Sequence, residues 1–170
     1  MRLGYFTLFL FFLANCTSPY TDTERLVISD SIATFLRTDS GKLKRTIGAI
    51  NGSCIVHYVN VSCASCFFDI EQIMKKELEL KNLKISTVFV CYSKDDFKYF
   101  KYLVESGELN IGNALLLLDS SDRFIRDNKQ VKKYEKTPTF LIDNSNSIIG
   151  RFDFSSDKNV LENIEKILSK

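Results

Sequence analysis

The stretch Cys54-Ile-Val-His-Tyr-Val-Asn-Val-Ser-Cys-Ala-Ser-Cys66 decides the fold of this 170-residue chain. Its first half, residues 54–60, is an apolar, β-branched run bounded by turn residues, and this pattern predicts a buried strand. Over residues 62–80 the apolar side chains recur at helical spacing, which predicts an amphipathic helix. Cys63 and Cys66 therefore lie where a buried strand passes into a helix.

Two cysteines at Cys-x-x-Cys spacing have three common interpretations: a redox dithiol, half of a zinc site, or chance. A structural zinc site needs four ligands, and the other candidates, Cys54, His57 and Cys91, include no second Cys-x-x-Cys and no His-x-His pair. At the start of a helix, the helix dipole lowers the pKa of the Cys63 thiol below the ~8.5 of a free thiol. Cys66 can then resolve a mixed disulfide by attacking Cys63. We therefore predict a redox-active disulfide, with no metal and no cofactor.

The rest of the chain alternates apolar runs with amphipathic segments. Apolar runs predict strands at residues 84–92, 113–119, 137–143 and 147–152, the last two joined as a hairpin. Helical spacing predicts helices at residues 95–104, 124–134 and 157–168. Residues 26–36 fit a short amphipathic helix or an irregular extension. The order β-α-β-α-β-α-β-β-α predicts an α/β domain with a mixed central sheet and helices on both faces.

The strand–CxxC–helix unit, followed by Thr137-Pro-Thr-Phe-Leu-Ile-Asp143, resembles the thioredoxin superfamily. In that family a cis-proline begins the strand that packs against the dithiol, and Pro138 matches this position. The helix and strand predicted between residues 95 and 119 resemble an insertion in the TlpA/ResA branch of membrane-tethered thiol-disulfide proteins. The resemblance implies a thioredoxin-like domain over residues 41–170, with the inserted helix-strand unit before the cis-Pro strand. It also implies that Thr137 and Pro138 shape a substrate groove.

Two positions around the dithiol depart from the family pattern. The family usually has Trp before the first Cys, where this chain has Ser62. A Pro-containing pair is usual between the cysteines, where this chain has Ala64-Ser65. The redox potential and the partner surface of the family are therefore not carried over to this chain.

His57, the only histidine, precedes Cys63 by six residues on the predicted strand. In thioredoxins this position holds a buried Asp that is thought to take the proton of the resolving cysteine. The resemblance implies the same role for His57 towards Cys66, since an imidazole titrates in the range that such a transfer needs. The alternative is a buried strand histidine that bonds a backbone carbonyl.

The two other cysteines of the predicted domain, Cys54 and Cys91, begin one strand and nearly end the next. If these strands are parallel and in register, their Cα atoms lie roughly 20 Å apart at ~3.3 Å per residue. A disulfide needs Cα atoms within about 7 Å. We therefore predict two buried free thiols instead of a second disulfide.

The first 15 residues have the pattern of a signal peptide. Arg2 supplies a positive charge, and residues 3–14 form an uncharged apolar stretch that is too short to span a ~30 Å bilayer as a helix. Leu13-Ala-Asn-Cys16 resembles a bacterial lipobox, which implies that Cys16 becomes the lipid-modified N-terminus. Asn15 departs from the usual Gly, Ala or Ser, and the alternative is an ordinary secretory signal in which Cys16 is incidental.

The lipobox resemblance implies both where the signal peptide ends and where in the cell the domain lies. Residues 1–15 would be a lipoprotein signal peptide, and residues 16–40 a tether and N-terminal extension. The domain is then expected in the bacterial cell envelope, lipid-anchored to a membrane and facing the periplasm or the cell exterior, where disulfides persist.

Composition excludes several function classes. The chain is 45% hydrophobic and 26% charged with a net charge of +2, which fits one globular domain. No basic stripe is interleaved with aromatic residues, so we expect no nucleic-acid binding. We predict an extracytoplasmic thiol-disulfide oxidoreductase with protein thiols and disulfides as substrates. The alternative is a non-enzymatic envelope lipoprotein that uses the fold for binding, with Cys63–Cys66 as a static structural disulfide.

Overall fold

The computed structural model describes residues 24–35, 52–83, 85–133, 137–154 and 158–169. The predicted signal peptide, Cys16 and about half of the predicted tether and N-terminal extension, residues 16–23 and 36–40, lie outside these residues. Within them, six strands form one mixed sheet in the order β1-β4-β3-β2-β5-β6. Their bounds are Ala33–Phe35 for β1, Cys54–Asn60 for β2, Ser86–Tyr92 for β3, Leu115–Asp119 for β4, Pro138–Ile142 for β5 and Ile148–Asp153 for β6.

Three parallel strands, β2, β3 and β4, occupy the centre of the sheet. Most of their residues are apolar and buried, which is typical of parallel strands covered on both faces. β2 pairs in register with β3, from Cys54 opposite Ser86 to Asn60 opposite Tyr92. All three strands therefore end at the same edge of the sheet, which we call the carboxyl edge, and the dithiol follows β2 at this edge.

The hairpin of β5 and β6 extends the sheet on the other side of β2. β5 is antiparallel to β2, with Thr139 opposite His57, so it begins at the carboxyl edge with Pro138 as its first residue. Asp143 closes the turn between β5 and β6, since its Oδ1 accepts hydrogen bonds from two backbone N–H groups of the turn. The predicted hairpin is thus confirmed, and it brings Thr137 to the edge that carries the dithiol.

The helices cover the two faces of the sheet unequally. The described residues form α1 at Ala64–Glu79, α2 at Lys98–Ser106, α3 at Arg123–Asp127 and α4 at Val160–Leu168. α1, α2 and α4 bury their apolar side chains in one cluster with Ile55 and Phe89 of the sheet. On the opposite face, the short helix α3 contributes Phe124 to a second cluster with Val56 and Val88. The predicted mixed sheet with helices on both faces is confirmed, and α2 and β4 are the insertion before β5.

The N-terminal extension contains a strand that its sequence pattern does not predict. β1 lies antiparallel to β4 at the edge of the sheet, whereas residues 26–36 fitted a helix or an irregular extension. Three residues are too few to show the alternation that identifies a strand. Asn128 anchors the preceding backbone, because its Oδ1 accepts from Val27 N–H at 2.7 Å and its Nδ2 donates to Val27 O at 2.6 Å.

The single helix predicted over residues 124–134 is too long. α3 ends at Asp127, and a 3-10 turn over Lys129–Lys133 follows. Asn128 lies between α3 and the 3-10 turn, and its Nδ2 also donates to Phe124 O at 2.8 Å. An asparagine side chain that bonds the backbone in this way competes with continuation of the helix.

Candidate functional site

The cysteine pair lies at the N-terminus of α1. Cys63 and Cys66 form a disulfide with Cα atoms 5.3 Å apart, and Cys66 N–H donates to Cys63 O at 3.0 Å. Cys63 is the N-cap residue in an extended conformation and is exposed, whereas Cys66 is half-buried in the first helical turn. Cys63 is therefore the more exposed of the two cysteines, and it lies at the positive end of the helix dipole.

The hydroxyl of Ser65 lies 3.2 Å from Sγ of Cys63. Hydrogen bonds to an ionised acceptor are roughly twice as strong as those to a neutral one. A hydroxyl donor at this position therefore favours the thiolate of Cys63 once the disulfide is reduced, in the same direction as the helix dipole.

Ser62, directly before the dithiol, is tied to the loop that joins β3 to α2. Its hydroxyl accepts from Lys94 N–H at 2.8 Å and lies 3.2 Å from Oγ of Ser93. Its own N–H donates to Asn60 Oδ1 at 2.9 Å, and Ser93 Oγ accepts from Asp95 N–H at 3.1 Å. We call these five residues, Asn60, Ser62, Ser93, Lys94 and Asp95, the Ser62 clasp.

Thr137 and Pro138 lie on the other side of β2. β2 lies between β3 and β5 in the sheet. The loop held by the Ser62 clasp follows β3 and Pro138 begins β5, so the two lie on opposite sides of the end of β2 that leads into the dithiol. Pro138 is buried and Thr137 is half-buried. The Thr137–Pro138 bond lies among the described residues, which contain no cis peptide bond. The expected cis-proline is therefore not found, and the bond has the trans form that X–Pro bonds generally prefer.

His57 is buried at the centre of a polar network. Its Nδ1 lies 2.8 Å from Oγ1 of Thr139, and its Nε2 lies 2.8 Å from Oε1 of Glu77. The second carboxylate oxygen of Glu77 accepts from the Thr87 hydroxyl at 2.7 Å. The imidazole ring also packs against two phenyl rings, those of Phe89 and Phe154. We call His57, Glu77, Thr87 and Thr139 the His57 network.

The network's chemistry assigns its hydrogen-bond directions. A carboxylate oxygen only accepts, so Nε2 of His57 carries a proton towards Glu77, and a neutral ring leaves Nδ1 to accept from the Thr139 hydroxyl. The partners are side chains, so the backbone carbonyl suggested as an alternative is not among the bonds of the ring. Because Glu77 lies on α1 and the other members on β2, β3 and β5, the network joins that helix to three strands of the sheet.

Glu77, Thr87 and Thr139 were not identified from the sequence. Glu77 falls on the buried stripe of α1, together with Phe67, Ile70 and Ile73. Its position on the stripe indicates a buried carboxylate with a partner, because an unpaired carboxylate is almost never buried. No such signal marks Thr139, since its contact with His57 depends on the register of β5 against β2.

Cys54 and Cys91 are buried free thiols, as predicted. The strand register places Cys54 opposite Ser86 and Cys91 opposite Val59, at opposite ends of the paired strands. Burial raises the pKa of Cys54 to about 12, with a smaller contribution from the Glu77 carboxylate. Burial also raises the pKa of Cys91. Neither thiol is therefore a reactive thiolate near neutral pH.

The described residues contain no group of three or more His, Cys, Asp or Glu side chains arranged to hold a metal ion. In the same part of the chain, every helix is too short or too polar to cross a membrane.

Comparison with known proteins identifies the fold. No family model and no curated protein matches the sequence. Among solved structures, the thioredoxin domain of a thiol-disulfide oxidoreductase from Bacteroides vulgatus matches with a TM-score of 0.55 at 12% identity, over 86% of this chain and 96% of that one. A candidate protein disulfide isomerase from Bacteroides thetaiotaomicron matches with a TM-score of 0.54 at 16% identity, over 87% and 90% of the two chains.

A domain of a candidate thiol-disulfide isomerase from Cytophaga hutchinsonii matches as well. Its TM-score is 0.53 at 17% identity, over 72% of this chain and 82% of that one. These similarities show that the chain has a thioredoxin-like fold, as its strand–CxxC–helix unit predicted.

Proposed function

We propose that this protein is an extracytoplasmic thiol-disulfide oxidoreductase that acts on protein thiols and disulfides. The Cys63–Cys66 disulfide at the N-terminus of α1, within a thioredoxin-like fold, carries the proposal. A reactive dithiol needs one accessible sulfur and a stabilised thiolate. Exposure of Cys63 supplies the first, and the helix dipole with the Ser65 hydroxyl supplies the second.

The reduction of a substrate takes place in two exchange steps. The thiolate of Cys63 attacks one sulfur of a substrate disulfide, so that a Cys63–substrate bond forms, the substrate disulfide breaks and the leaving thiolate takes a proton. Cys66, having lost its proton, then attacks the sulfur of Cys63, which closes the Cys63–Cys66 disulfide and releases the second substrate thiolate for protonation. Two electrons and two protons pass to the substrate, and the reverse sequence oxidises a substrate dithiol.

His57 takes up the proton of Cys66 in this proposal. Nε2 is already bonded to Glu77 and Nδ1 faces the Thr139 hydroxyl. We propose that the proton passes to Nδ1 by way of that hydroxyl, which turns from donor to acceptor as the ring becomes charged. The negative charge of Glu77 then faces an imidazolium, and the buried pair is neutral as a whole.

Thr137 and Pro138 form the substrate groove in the same proposal. They directly precede Thr139, at the carboxyl edge where β5 begins. The backbone of Thr137 can pair with an extended substrate segment, and Pro138 has no N–H that would compete for the sulfur of the dithiol.

The decisive measurement for the proposed function is the Cys63–Cys66 reduction potential, combined with an activity assay. We expect a potential in the range of about −120 to −270 mV that catalytic members of this chemistry span. We also expect catalysis of insulin reduction or of refolding of reduced ribonuclease. A potential below about −300 mV without activity would instead identify a static structural bridge.

We further propose that the domain is anchored to a bacterial membrane by lipid on Cys16, on the basis of the sequence around that residue. Cells that express the full chain and are fed labelled palmitate should incorporate the label into the protein. The Cys16→Ser variant should carry no label and should leave the membrane fraction. An unlabelled wild-type protein that is still exported would support an ordinary secretory signal instead.

A further inference from the structure

Ser62 occupies the position where related folds usually carry a tryptophan. Its hydroxyl makes two contacts with the β3–α2 loop. It accepts from Lys94 N–H, while the Ser93 hydroxyl accepts from Asp95 N–H. The two hydroxyls lie 3.2 Å apart, so one of them donates to the other. Ser62, which precedes the dithiol, therefore holds the Lys94 amide directly and is linked to the Asp95 amide through the Ser93 hydroxyl.

The clasp holds the loop beside the dithiol with its charged side chains outward. Lys94, Asp95 and Asp96 are exposed. Tyr99 at the start of α2 is 63% exposed, and the centre of its ring lies 5.8 Å from that of Phe67 in the first turns of α1. We call residues 94–96 together with Tyr99 the loop wall. The loop wall follows β3 and is bonded to the residue before the dithiol, whereas Pro138 begins β5 on the other side of β2.

We propose that Ser62 is a positioning residue for substrate selection, because its hydroxyl holds the loop wall in place as one side of a groove for a polypeptide substrate. The inference rests on the proposed function and deepens it. A small disulfide needs only the exposed sulfur of Cys63. A polypeptide segment on either side of its cysteine must lie along the wall, where it meets an aromatic ring and charges of both signs.

The proposal is tested by comparing two substrates, insulin as a protein disulfide and 2-hydroxyethyl disulfide as a small one. In the Ser62→Ala variant we expect KM for insulin to rise about three- to tenfold, the loss of one or two hydrogen bonds. The rate with the small disulfide should stay within about twofold of wild type. Ser93→Ala should act in the same direction, and the double variant should fall short of the sum of the two single effects, because both variants remove the contact between the two hydroxyls.

The variant Ser62→Thr keeps the hydroxyl and should restore the KM for insulin. Ser145→Ala is the matched control. It also removes one of two bonded hydroxyls, since Ser145 Oγ lies 2.7 Å from Ser147 Oγ, but in the turn between β5 and β6 at the opposite edge of the sheet. This variant should leave the rates with both substrates unchanged.

Amide hydrogen exchange gives a readout that does not depend on activity. In Ser62→Ala the amides of Lys94 and Asp95 should exchange at least about tenfold faster than in wild type, since they lose their acceptors or the support of those acceptors. Unchanged exchange at both amides, or an equal loss of activity with insulin and with the small disulfide, would overturn the proposal. A wild-type protein inactive towards both substrates would overturn the proposed function, and the role in selection with it.

Discussion

Replacing Cys63 by Ser should reduce thiol-disulfide exchange to the uncatalysed rate, a loss of at least about 10³-fold. Cys63 presents the accessible sulfur at the positive end of α1, with the Ser65 hydroxyl 3.2 Å away. A serine hydroxyl neither ionises near neutral pH nor forms a disulfide, and the half-buried Cys66 cannot take over the attack from its place in the first turn. The rate of insulin reduction by dithiothreitol measures this loss.

Cys66→Ser should fail in a different way. Cys63 still attacks the substrate, but no thiol remains to attack the mixed disulfide that forms. A covalent Cys63–substrate conjugate should therefore accumulate, up to one substrate per protein. Electrophoresis without reductant and mass spectrometry detect it, and an added thiol should release it. The Cys63→Ser variant should form no such conjugate.

Cys91→Ala is the control for the loss of a thiol as such. Cys91 is buried, its pKa is raised by burial, and it lies in a central strand. Its replacement should leave turnover within about twofold of wild type, whatever it costs in stability. The assigned roles are contradicted if Cys63→Ser retains turnover, or if Cys66 forms the conjugate when Cys63 is absent.

The sequence predicts the dithiol unit because that unit is local. Strand, cysteine pair and helix lie within residues 54–80, and each carries its own periodicity. The separation of Cys54 and Cys91 was predicted for a similar reason, since parallel pairing in register follows from two apolar runs joined by a helix. The hairpin of β5 and β6 followed from two apolar runs around a short polar turn.

What the sequence does not predict depends on contacts between distant segments. The place of Glu77 on the apolar stripe of α1 marks it as unusual, but the sequence does not show that its carboxylate lies between His57 and Thr87. β1 is recognisable as a strand only through its pairing with β4. The Ser62 clasp is not predictable from the sequence, where Ser62 is notable only as a departure from the usual tryptophan. Its partners lie 31 and 32 residues away and become neighbours only when β3 pairs with β2.

Glu77→Leu should lower the free energy of unfolding by about 2–6 kcal/mol, since each of two buried donors left without an acceptor costs about 1–3 kcal/mol. The substitution leaves the Nε2–H of His57 and the Thr87 hydroxyl without their acceptor in a buried site. The cost of such groups is their lost hydration, which nothing in the apolar surroundings replaces. Glu77→Gln keeps a carbonyl oxygen for one of these donors and should cost less, about 1–2 kcal/mol. Urea unfolding of the oxidised proteins measures both values.

The double variant His57→Phe with Glu77→Leu should be more stable than the sum of the single changes implies. His57 already packs against Phe89 and Phe154, so a phenyl ring fits its surroundings, and no charge is left buried without a partner. Replacing both members of a buried pair by apolar residues is often nearly neutral, whereas removing one is costly. The thermodynamic cycle therefore isolates the coupling between His57 and Glu77.

Glu79→Ala on the same helix is the matched control, since Glu79 is exposed, and it should change stability by no more than about 0.5 kcal/mol. Additive single effects, or a Glu77→Leu variant as stable as Glu79→Ala, would contradict the assigned network.

Stability alone does not test whether His57 moves a proton, so the decay of the mixed disulfide with substrate is followed in parallel. If His57 takes the Cys66 proton, the folded double variant should resolve this intermediate at least about 10²-fold more slowly than wild type, the lower end of the range ascribed to general bases. An unchanged resolution rate would restrict the His57 network to holding α1 on the sheet.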